Sequence, residues 1–134
     1  MTDYKSLMMR AQEAREKSYS PYSHFRVGAA LLTKGGKIYT GCNVENAAFT
    51  PSNCAERTAI FKAVSEGERE FEAIAIVGGR EGEKGGFCAP CGVCRQVIAE
   101  FCEKDFKIVL GDEEQFQAYT LDELLPLSFT KNNL

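Results

Sequence analysis

Three cysteines lie within seven residues of this 134-residue chain, in the stretch FCAPCGVC, as Cys88, Cys91 and Cys94. A further cysteine, Cys54, lies upstream in CAERTA and is followed two residues later by Glu56. Thiolates are soft ligands that suit zinc, and three protein ligands leave a fourth tetrahedral position open to water. A carboxyl group beside such a position can move protons. The two segments therefore predict a catalytic metal centre with an acid–base residue next to it.

The positions of these cysteines relative to helix starts indicate which of them can share one ion. Cys54 opens a run of helix-forming residues, and Pro90-Cys91 opens another, with proline at a first-turn position that it favours. Cys91 and Cys94 are three residues apart, so they lie on one face of the first turn. The N-terminal end of a helix also stabilises thiolates. We expect Cys54, Cys91 and Cys94 to bind one metal ion and Cys88 to lie in the loop before the helix.

Other interpretations of the same residues stay open on local sequence alone. With Asn53 as N-cap, Glu56 falls at the third helical position and could simply complete a capping box. With Cys88 as a fourth ligand, the cysteines would form a closed structural zinc module without a water position. An iron–sulfur cluster is disfavoured because the ferredoxin run needs its next cysteine at position 98, which is Ile98. The single histidine, His24, lies far from the cysteine motifs and is not expected to bind the metal.

Composition and charge narrow the class of protein. A chain with 44% hydrophobic residues can bury a core, and its length fits a single domain over residues 1–134. A formal net charge of −3 provides no basic field for nucleic acid, and no apolar run suggests an export signal or a membrane span. Six cysteines without such a signal are expected to be metal ligands or core residues in the reducing cytoplasm. We expect no nucleic-acid partner and no membrane partner.

Hydrophobic periodicity predicts the elements that position these residues. Helices are predicted at 3–17, 54–66 and 91–102, and strands at 27–33, 37–43, 73–77 and 106–110. Gly35-Gly36 separates the first two strands and supplies the positive φ of a tight antiparallel hairpin. The order helix, strand, strand, helix, strand, helix, strand predicts a layered α/β domain in which crossover helices make the later strands parallel.

At this point the sequence resembles the cytidine deaminases, specifically the small homotetrameric class that uses three cysteines. The segments that carry the resemblance are SPYSHFRVGAALL (20–32), GCNVENAAF (41–49), CAERTA (54–59), PCGVCRQV (90–97) and LLPLSF (124–129). The likeness covers nearly the whole chain. It implies a three-layer α/β/α fold with a mixed central sheet of about five strands, and one Zn²⁺ per chain.

The resemblance also implies a reaction. It is the hydrolytic deamination of cytidine and deoxycytidine to uridine and deoxyuridine, a step of pyrimidine salvage. In the family a zinc-bound hydroxide attacks C4 of the ring, and the residue matching Glu56 carries the proton to N3 and then to the departing amine. The nearest rivals are a blasticidin-type deaminase and a nucleotide deaminase. The NVEN segment favours an unphosphorylated nucleoside.

Further residues are assigned roles by the resemblance. Asn43 and Glu45, two apart on an extended segment, project to one side and match sugar contacts of the family. The substrate contacts implied are Phe25, Asn43, Glu45, the backbone of Ala55, and Phe129. Arg57 matches an arginine that hydrogen-bonds the cysteine sulfurs, and we hypothesise that it tunes the zinc, because three thiolates and Zn²⁺ leave a net charge of −1.

The resemblance also implies how the chains assemble, and the sequence departs from the family pattern at two positions. By resemblance Phe129 reaches the active site of an adjacent subunit, which predicts a homotetramer with active sites at subunit interfaces. Phe49 stands where the family frequently has tyrosine, so the hydrogen bond of that hydroxyl is lost. Cys88 is also unusual at its position.

Overall fold

Short apolar runs form a five-stranded sheet in the computed structural model, which describes residues 2–134. The strands are β1 (Phe25–Thr33), β2 (Ile38–Cys42), β3 (Phe71–Arg80), β4 (Lys107–Gly111) and β5 (Phe116–Thr120). Their order across the sheet is β2-β1-β3-β4-β5, and only the β3–β4 pair is parallel. The expected mixed sheet of about five strands is confirmed. Periodicity missed β5 because this edge strand has no buried residue to mark it.

Helices cover both faces of the sheet. They are α1 (Tyr4–Arg15), α2 (Ala55–Ser65), α3 (Gly92–Phe101) and the short α4 (Leu121–Leu124), followed by a 3-10 turn at Lys131–Asn133. One apolar cluster joins α1 to one face of the sheet, and a second cluster joins α2, α3 and α4 to the other face. The three-layer α/β/α arrangement is therefore confirmed. Within residues 2–134 we find no helix with the length and apolarity needed to cross a bilayer.

Strand directions explain why the two cysteine segments meet. Strand β1 is antiparallel to both of its neighbours, β2 and β3, so β2 and β3 run in the same direction. The helices that follow these two strands, α2 and α3, consequently start at the same end of the sheet, which we call the carboxyl edge. Strand β1 begins at this edge as well. Ligand sites of open α/β sheets commonly lie at such an edge.

Two glycines let helices approach the sheet at backbone distance. A Cβ atom on Gly28 would lie 2.1 Å from the carbonyl oxygen of Ala11 in α1. A Cβ atom on Gly41 would lie 2.5 Å from the amide nitrogen of Ala59 and 2.6 Å from the carbonyl oxygen of Ala55, both in α2. Because α2 begins directly after Cys54, the contact at Gly41 also fixes one of the expected metal ligands.

A buried arginine joins the last turn of α1 to the carboxyl edge. The Arg15 side chain is only 5% exposed and donates hydrogen bonds to the carbonyl oxygens of Arg26, Gly79 and Arg80 at 2.9–3.0 Å. These carbonyl groups belong to the start of β1 and the end of β3. Hydrogen bonding compensates the burial of this charged group. Arg15 therefore holds together the two strand ends nearest the expected site.

Replacing Gly41 with alanine should displace the first turn of α2. Because the added Cβ would meet backbone atoms rather than a flexible side chain, we expect G41A to lower the free energy of unfolding by about 3 kcal/mol. Chemical denaturation measures this change. The matched control is G35A, since a Cβ there meets only the Thr33 hydroxyl at 3.8 Å and should cost less than about 0.5 kcal/mol. Equal stability of the two variants would contradict the packing described.

Candidate active site

Cysteine caps both helices that begin at the carboxyl edge. Cys54 is the N-cap of α2 and Cys91 is the N-cap of α3, each with extended backbone. The Cys91 sulfur accepts a hydrogen bond from the backbone N–H of Cys94 at 3.4 Å. Pro90 therefore lies just before the cap, and the sequence-based placement of this proline in the first turn is wrong, because helical geometry starts only at Gly92.

The first turn of α2 also rules out the capping-box interpretation of Glu56. Since Cys54 rather than Asn53 is the N-cap, Glu56 is the second helical residue, one position too early for a capping box. The Asn53 side chain instead donates to the hydroxyl of Thr58 at 3.2 Å. The Glu56 side chain is thus left available for a role other than helix capping.

Three sulfurs converge between the two helix starts. The Sγ atoms of Cys54, Cys91 and Cys94 all lie within 4.8 Å of one another, and those of Cys54 and Cys91 are 3.8 Å apart. In a tetrahedral site with zinc–sulfur bonds of about 2.3 Å, sulfurs are separated by about 3.8 Å. The donor set therefore fits zinc in both its chemistry and its spacing. In the described residues this cluster includes neither Cys88 nor His24.

Electrostatics at the cluster favour thiolates. The hydrogen bond from Cys94, together with the Arg57 guanidinium, lowers the pKa of the Cys54 thiol to about 5. The same hydrogen bond and burial raise the pKa of Cys94, which holds the shared proton. The Arg57 side chain donates to the Cys54 sulfur at 3.3 Å. A cation bound by the three sulfurs would replace that proton, because metal ligation requires deprotonated thiols.

Glu56 lies beside the sulfurs and away from bulk solvent. It is 4% exposed, and burial raises the pKa of its carboxyl group to about 7. The Cys54 thiolate contributes to this rise by repulsion. A carboxyl group in such surroundings can exchange a proton near neutral pH, which suits a general acid–base residue. Three converging sulfurs with this carboxyl group beside them fit a catalytic metal site, which keeps one position for water, better than a closed structural one.

A cleft of about 470 Å³ opens directly onto the cluster. Its size lies within the range of small-molecule sites. The residues lining it are Val27, Asn43, Glu45, Phe49, Thr50, Ser52, Asn53, Cys54, Ala55, Glu56, Arg57, Cys88, Ala89 and Cys91. Asn43 and Glu45, whose spacing predicts that they project to one side, thus line the same cleft as Ala55, as the resemblance implies. The sequence segments before α2 and before α3 both contribute to its walls.

Two of the predicted substrate contacts, Phe25 and Phe129, do not line this cleft in the single chain, within the residues 2–134 that the structure describes. The Phe25 ring lies against Gly78, beside Cys88, and is 39% exposed. Phe129 is 63% exposed, and its carbonyl oxygen accepts a hydrogen bond from the Gln96 side chain at 2.8 Å.

Phe49 and Cys88, the two departures from the family pattern, both lie on the cleft wall. Phe49 has a φ of +61°, is 70% exposed, and meets the Tyr22 ring edge-on with ring centroids 6.2 Å apart. Burial raises the pKa of the Cys88 thiol to about 11, so this sulfur stays protonated beside the thiolate cluster. Cys88 is therefore a neutral part of the wall.

Some residues that line or support the cleft could not be recognised from a sequence pattern. Asn53 and Ser52 line it because the segment before α2 folds back, with reciprocal backbone hydrogen bonds of 2.9 Å between Val44 and Asn53. The Ser23 hydroxyl donates to the Glu45 carboxylate across 22 residues of sequence. Contacts of this kind depend on how loops meet in space, which local residue patterns do not report.

Comparison with known proteins agrees with this geometry. The family model of the cytidine and deoxycytidylate deaminase zinc-binding region matches residues 1–110. The chain is 50% identical over 136 residues to a cytidine deaminase of Sporosarcina psychrophila, covering 98% of this chain and 95% of that protein. It is 48% identical over 133 residues to a cytidine deaminase of Halalkalibacterium halodurans, covering 98% of each. A crystal structure of cytidine deaminase from Burkholderia pseudomallei matches with a TM-score of 0.86 at 48% identity, covering 96% of this chain and 100% of that chain.

Fold and site together are those of a zinc-dependent hydrolytic deaminase. The chain belongs to the cytidine and deoxycytidylate deaminase family. The enzyme class and the zinc cofactor expected from the resemblance are thereby confirmed.

Metal content distinguishes the three-cysteine site from a four-cysteine site. We expect the purified protein to hold one zinc per chain and C54S to lose most of it, because two sulfurs cannot complete the donor set. The matched control is C88S, which changes a cysteine of the cleft wall outside the cluster and should keep the full zinc content. Elemental analysis of the three proteins measures this. Zinc loss from C88S would reinstate the closed four-cysteine site.

Proposed function

We propose that this protein catalyses the hydrolytic deamination of cytidine and deoxycytidine, giving uridine or deoxyuridine and ammonia. The observation that carries the proposal is the buried Glu56 carboxyl beside three converging sulfurs at the base of an open cleft. The relatives named cytidine deaminase, which match almost the full chain, support the choice of substrate.

The proposed metal ligands are Cys54, Cys91 and Cys94. When bound there, zinc lowers the pKa of a water molecule at its open position and so supplies the nucleophile. Glu56 takes a proton from the attacking water and delivers it to ring N3, after which it helps to protonate the departing 4-amino group. Its pKa of about 7 suits both halves of this transfer, since a group that must accept and return a proton works best near the ambient pH.

Other side chains of the cleft orient the substrate in this proposal. The Asn43 Oδ1 atom already accepts hydrogen bonds from the backbone of Val27 and the hydroxyl of Ser18, and its amide group donates to the carbonyl oxygen of Phe25. The Asn43 amide therefore keeps one free N–H donor, whereas the Glu45 carboxylate can only accept hydrogen bonds. A sugar hydroxyl satisfies both, because it accepts from one group and donates to the other.

The base is held at the inner end of the cleft. The backbone of Ala55, at the start of α2, lies between the cysteine ligand and Glu56 and is the proposed hydrogen-bond partner of the pyrimidine. The Phe25 ring, which does not line the cleft but lies beside its wall residue Cys88, is the proposed apolar contact of the base. Both residues lie at the carboxyl edge, so base and sugar contacts share one rigid support.

Charge in the cleft favours a nucleoside over a nucleotide. Among the described lining residues, the only cationic side chain is Arg57, which is turned to the Cys54 sulfur. Glu45 and Glu56 supply two carboxyl groups. A 5′-phosphate would enter a site with a carboxylate, a thiolate and no cation left to pair with it, and like charges placed together cost several kcal/mol. Cytidine and deoxycytidine are therefore the preferred substrates.

One assay tests the reaction and its acid–base residue together. We expect the wild type to deaminate cytidine and deoxycytidine, with kcat/KM at least about 100-fold lower for dCMP. E56Q should keep its zinc and lose roughly 10³-fold in kcat, because glutamine cannot move the proton. The matched control is E66Q, an exposed glutamate at the end of the same helix, which should retain full activity.

Three results of that assay would contradict the proposal. They are a wild type inactive on both nucleosides, an E56Q variant as fast as the wild type, and a clear preference for blasticidin S or dCMP. The last result would favour the rival deaminases of the same family.

Arg57 is the proposed tuner of the metal site. Its guanidinium offsets the negative charge of the sulfurs, and groups that hydrogen-bond metal ligands commonly change affinity or activity by about 10- to 100-fold. We expect R57Q to lower zinc retention against a chelator, kcat, or both by such a factor. The control is R69Q, an exposed arginine beyond α2. Unchanged zinc retention and kcat in R57Q would show that the role is wrong.

We propose a homotetramer in which Phe129 completes the active site of a neighbouring subunit. Tyr22, Phe49 and Phe129 are large apolar side chains that are at least half exposed in the single chain, and Phe49 lies at the cleft itself. Exposed apolar groups near a site are typical of interaction surfaces.

Light scattering and a mixing experiment test the assembly. We expect a mass four times that of the 14.8 kDa chain, and an F129A variant with a KM for cytidine raised about 10-fold. Co-expression of F129A with the inactive E56Q should restore sites of wild-type KM, because E56Q subunits supply the missing ring. A fully active monomer, or mixed tetramers without restored sites, would contradict the arrangement.

We further propose that residues 1–134 act as one catalytic domain in the cytoplasm. One sheet anchors the apolar clusters on both of its faces, and none of the six cysteines, all within the described residues, forms a disulfide, which suits a reducing compartment. A single unfolding transition in calorimetry and recovery of activity in the cytosolic fraction are the expected results. Two transitions, or activity in another fraction, would contradict this.

A further inference from the structure

The turn between α1 and β1 closes on itself beside the cleft. The backbone N–H of His24 donates to the carbonyl oxygen of Ser20 at 3.0 Å, and His24 takes a φ of +57°, in the left-handed region that only few non-glycine residues adopt. Within this turn the backbone N–H groups of Tyr22 and Ser23 are directed at one and the same acceptor atom. Successive backbone N–H groups of this kind form a concave site for an anion.

The anion bound by this turn is the carboxylate of Glu45. Its Oε1 atom accepts hydrogen bonds from the backbone N–H groups of Tyr22 at 3.0 Å and Ser23 at 3.1 Å. Its Oε2 atom accepts a hydrogen bond from the hydroxyl of Ser23. The Ser23 residue thus contacts both oxygens of a carboxylate that lines the cleft.

The direction of the Ser23 hydroxyl is itself fixed. Its oxygen accepts a hydrogen bond from the backbone N–H of Phe25 at 3.0 Å, so its hydrogen is directed to Glu45 rather than rotating freely. The bond from Ser23 is also the largest cause of the lowered pKa of the Glu45 carboxyl, which is therefore ionised. Three hydrogen bonds from one turn leave this carboxylate a single orientation in which it faces the cleft.

We propose that Ser23 is a positioning residue for the deamination reaction, orienting the remaining acceptor lone pair of the Glu45 carboxylate, on Oε2, towards the sugar of the nucleoside. The inference rests on the proposed function, because it takes Glu45 to be the partner of a sugar hydroxyl. Ser23 acts through Glu45 and does not touch the substrate. Its loss consequently weakens binding of the sugar without changing the chemistry at the base.

Kinetics of Ser23 variants on two nucleosides test the inference. With cytidine, we expect S23A to raise KM about 10- to 100-fold, the size expected for a lost hydrogen bond to a charged group, while kcat and zinc content stay within twofold of the wild type. S23T keeps the hydroxyl and should restore the wild-type KM. The matched control is S65A, an exposed serine at the far end of α2.

A second substrate distinguishes a positioning role of Ser23 from a general structural defect of the S23A variant. We take the partner of Glu45 to be the 2′- or 3′-hydroxyl group. 2′,3′-Dideoxycytidine lacks both and keeps only its 5′-hydroxyl, so S23A and the wild type should differ by less than twofold in KM for it. An S23A variant with unchanged KM for cytidine overturns the inference and leaves the proposed deamination intact. An equal KM rise with both nucleosides, or failure of S23T to restore KM, also overturns it, because each indicates a structural role. Inactivity of the wild type on cytidine would overturn the proposed function itself.

Discussion

The mutual approach of three sulfurs is the constraint on which the rest of the structure depends. Three thiolates held within 4.8 Å of one another repel strongly, and the bound cation and the groups around the cluster together must offset that repulsion. Two helix N-termini place partial positive charge on the cluster, and the Arg57 guanidinium adds a full charge at the Cys54 sulfur. Burial, with a smaller contribution from the neighbouring Cys54 thiolate, raises the pKa of the Glu56 carboxyl to about 7, so this group can take up a proton near neutral pH.

The order and direction of the strands explain why the three sulfurs meet. Since β1 lies between two strands of common direction, both helices start at the carboxyl edge, and the segments 43–54 and 81–91 that lead into them bring the two cysteine motifs together there. Gly41 lets α2 lie on the sheet at backbone distance, and Arg15 ties the strand ends beside the cleft. The metal ligands and the proposed sugar contacts therefore belong to one rigid body, which catalysis by positioned groups requires.

The sequence predicted the parts of this molecule that depend on local chemistry. The cysteine ligands follow from residue type and from helix-start positions, and the hairpin around Gly36 follows from the need for positive φ, observed as +95°. The sequence left open whether Asn53 is the N-cap of α2, because asparagine is a favoured capping residue, and the extended backbone of Cys54 decides that Cys54 is the cap.

Features set by contacts between distant segments could not be predicted. Strand β5 pairs with β4 at the edge of the sheet and has no buried face, so its sequence lacks the alternation that marks a strand. The hydrogen bond from Ser23 to Glu45 joins two loops that are far apart in sequence, and hydrophobic periodicity gives no information about such a contact. The proposed role of Phe129 cannot be read from one chain, because the cleft that this side chain would complete belongs to another copy of the protein.

X-ray absorption at the zinc edge tests the central claim most directly. The account predicts three sulfur neighbours at about 2.3 Å and one oxygen neighbour at about 2.0 Å in the purified protein, since three cysteines leave one position for water. The oxygen neighbour should remain in C88S. Four sulfur neighbours in the wild type would contradict the account, because a closed site has no place at which water can be activated.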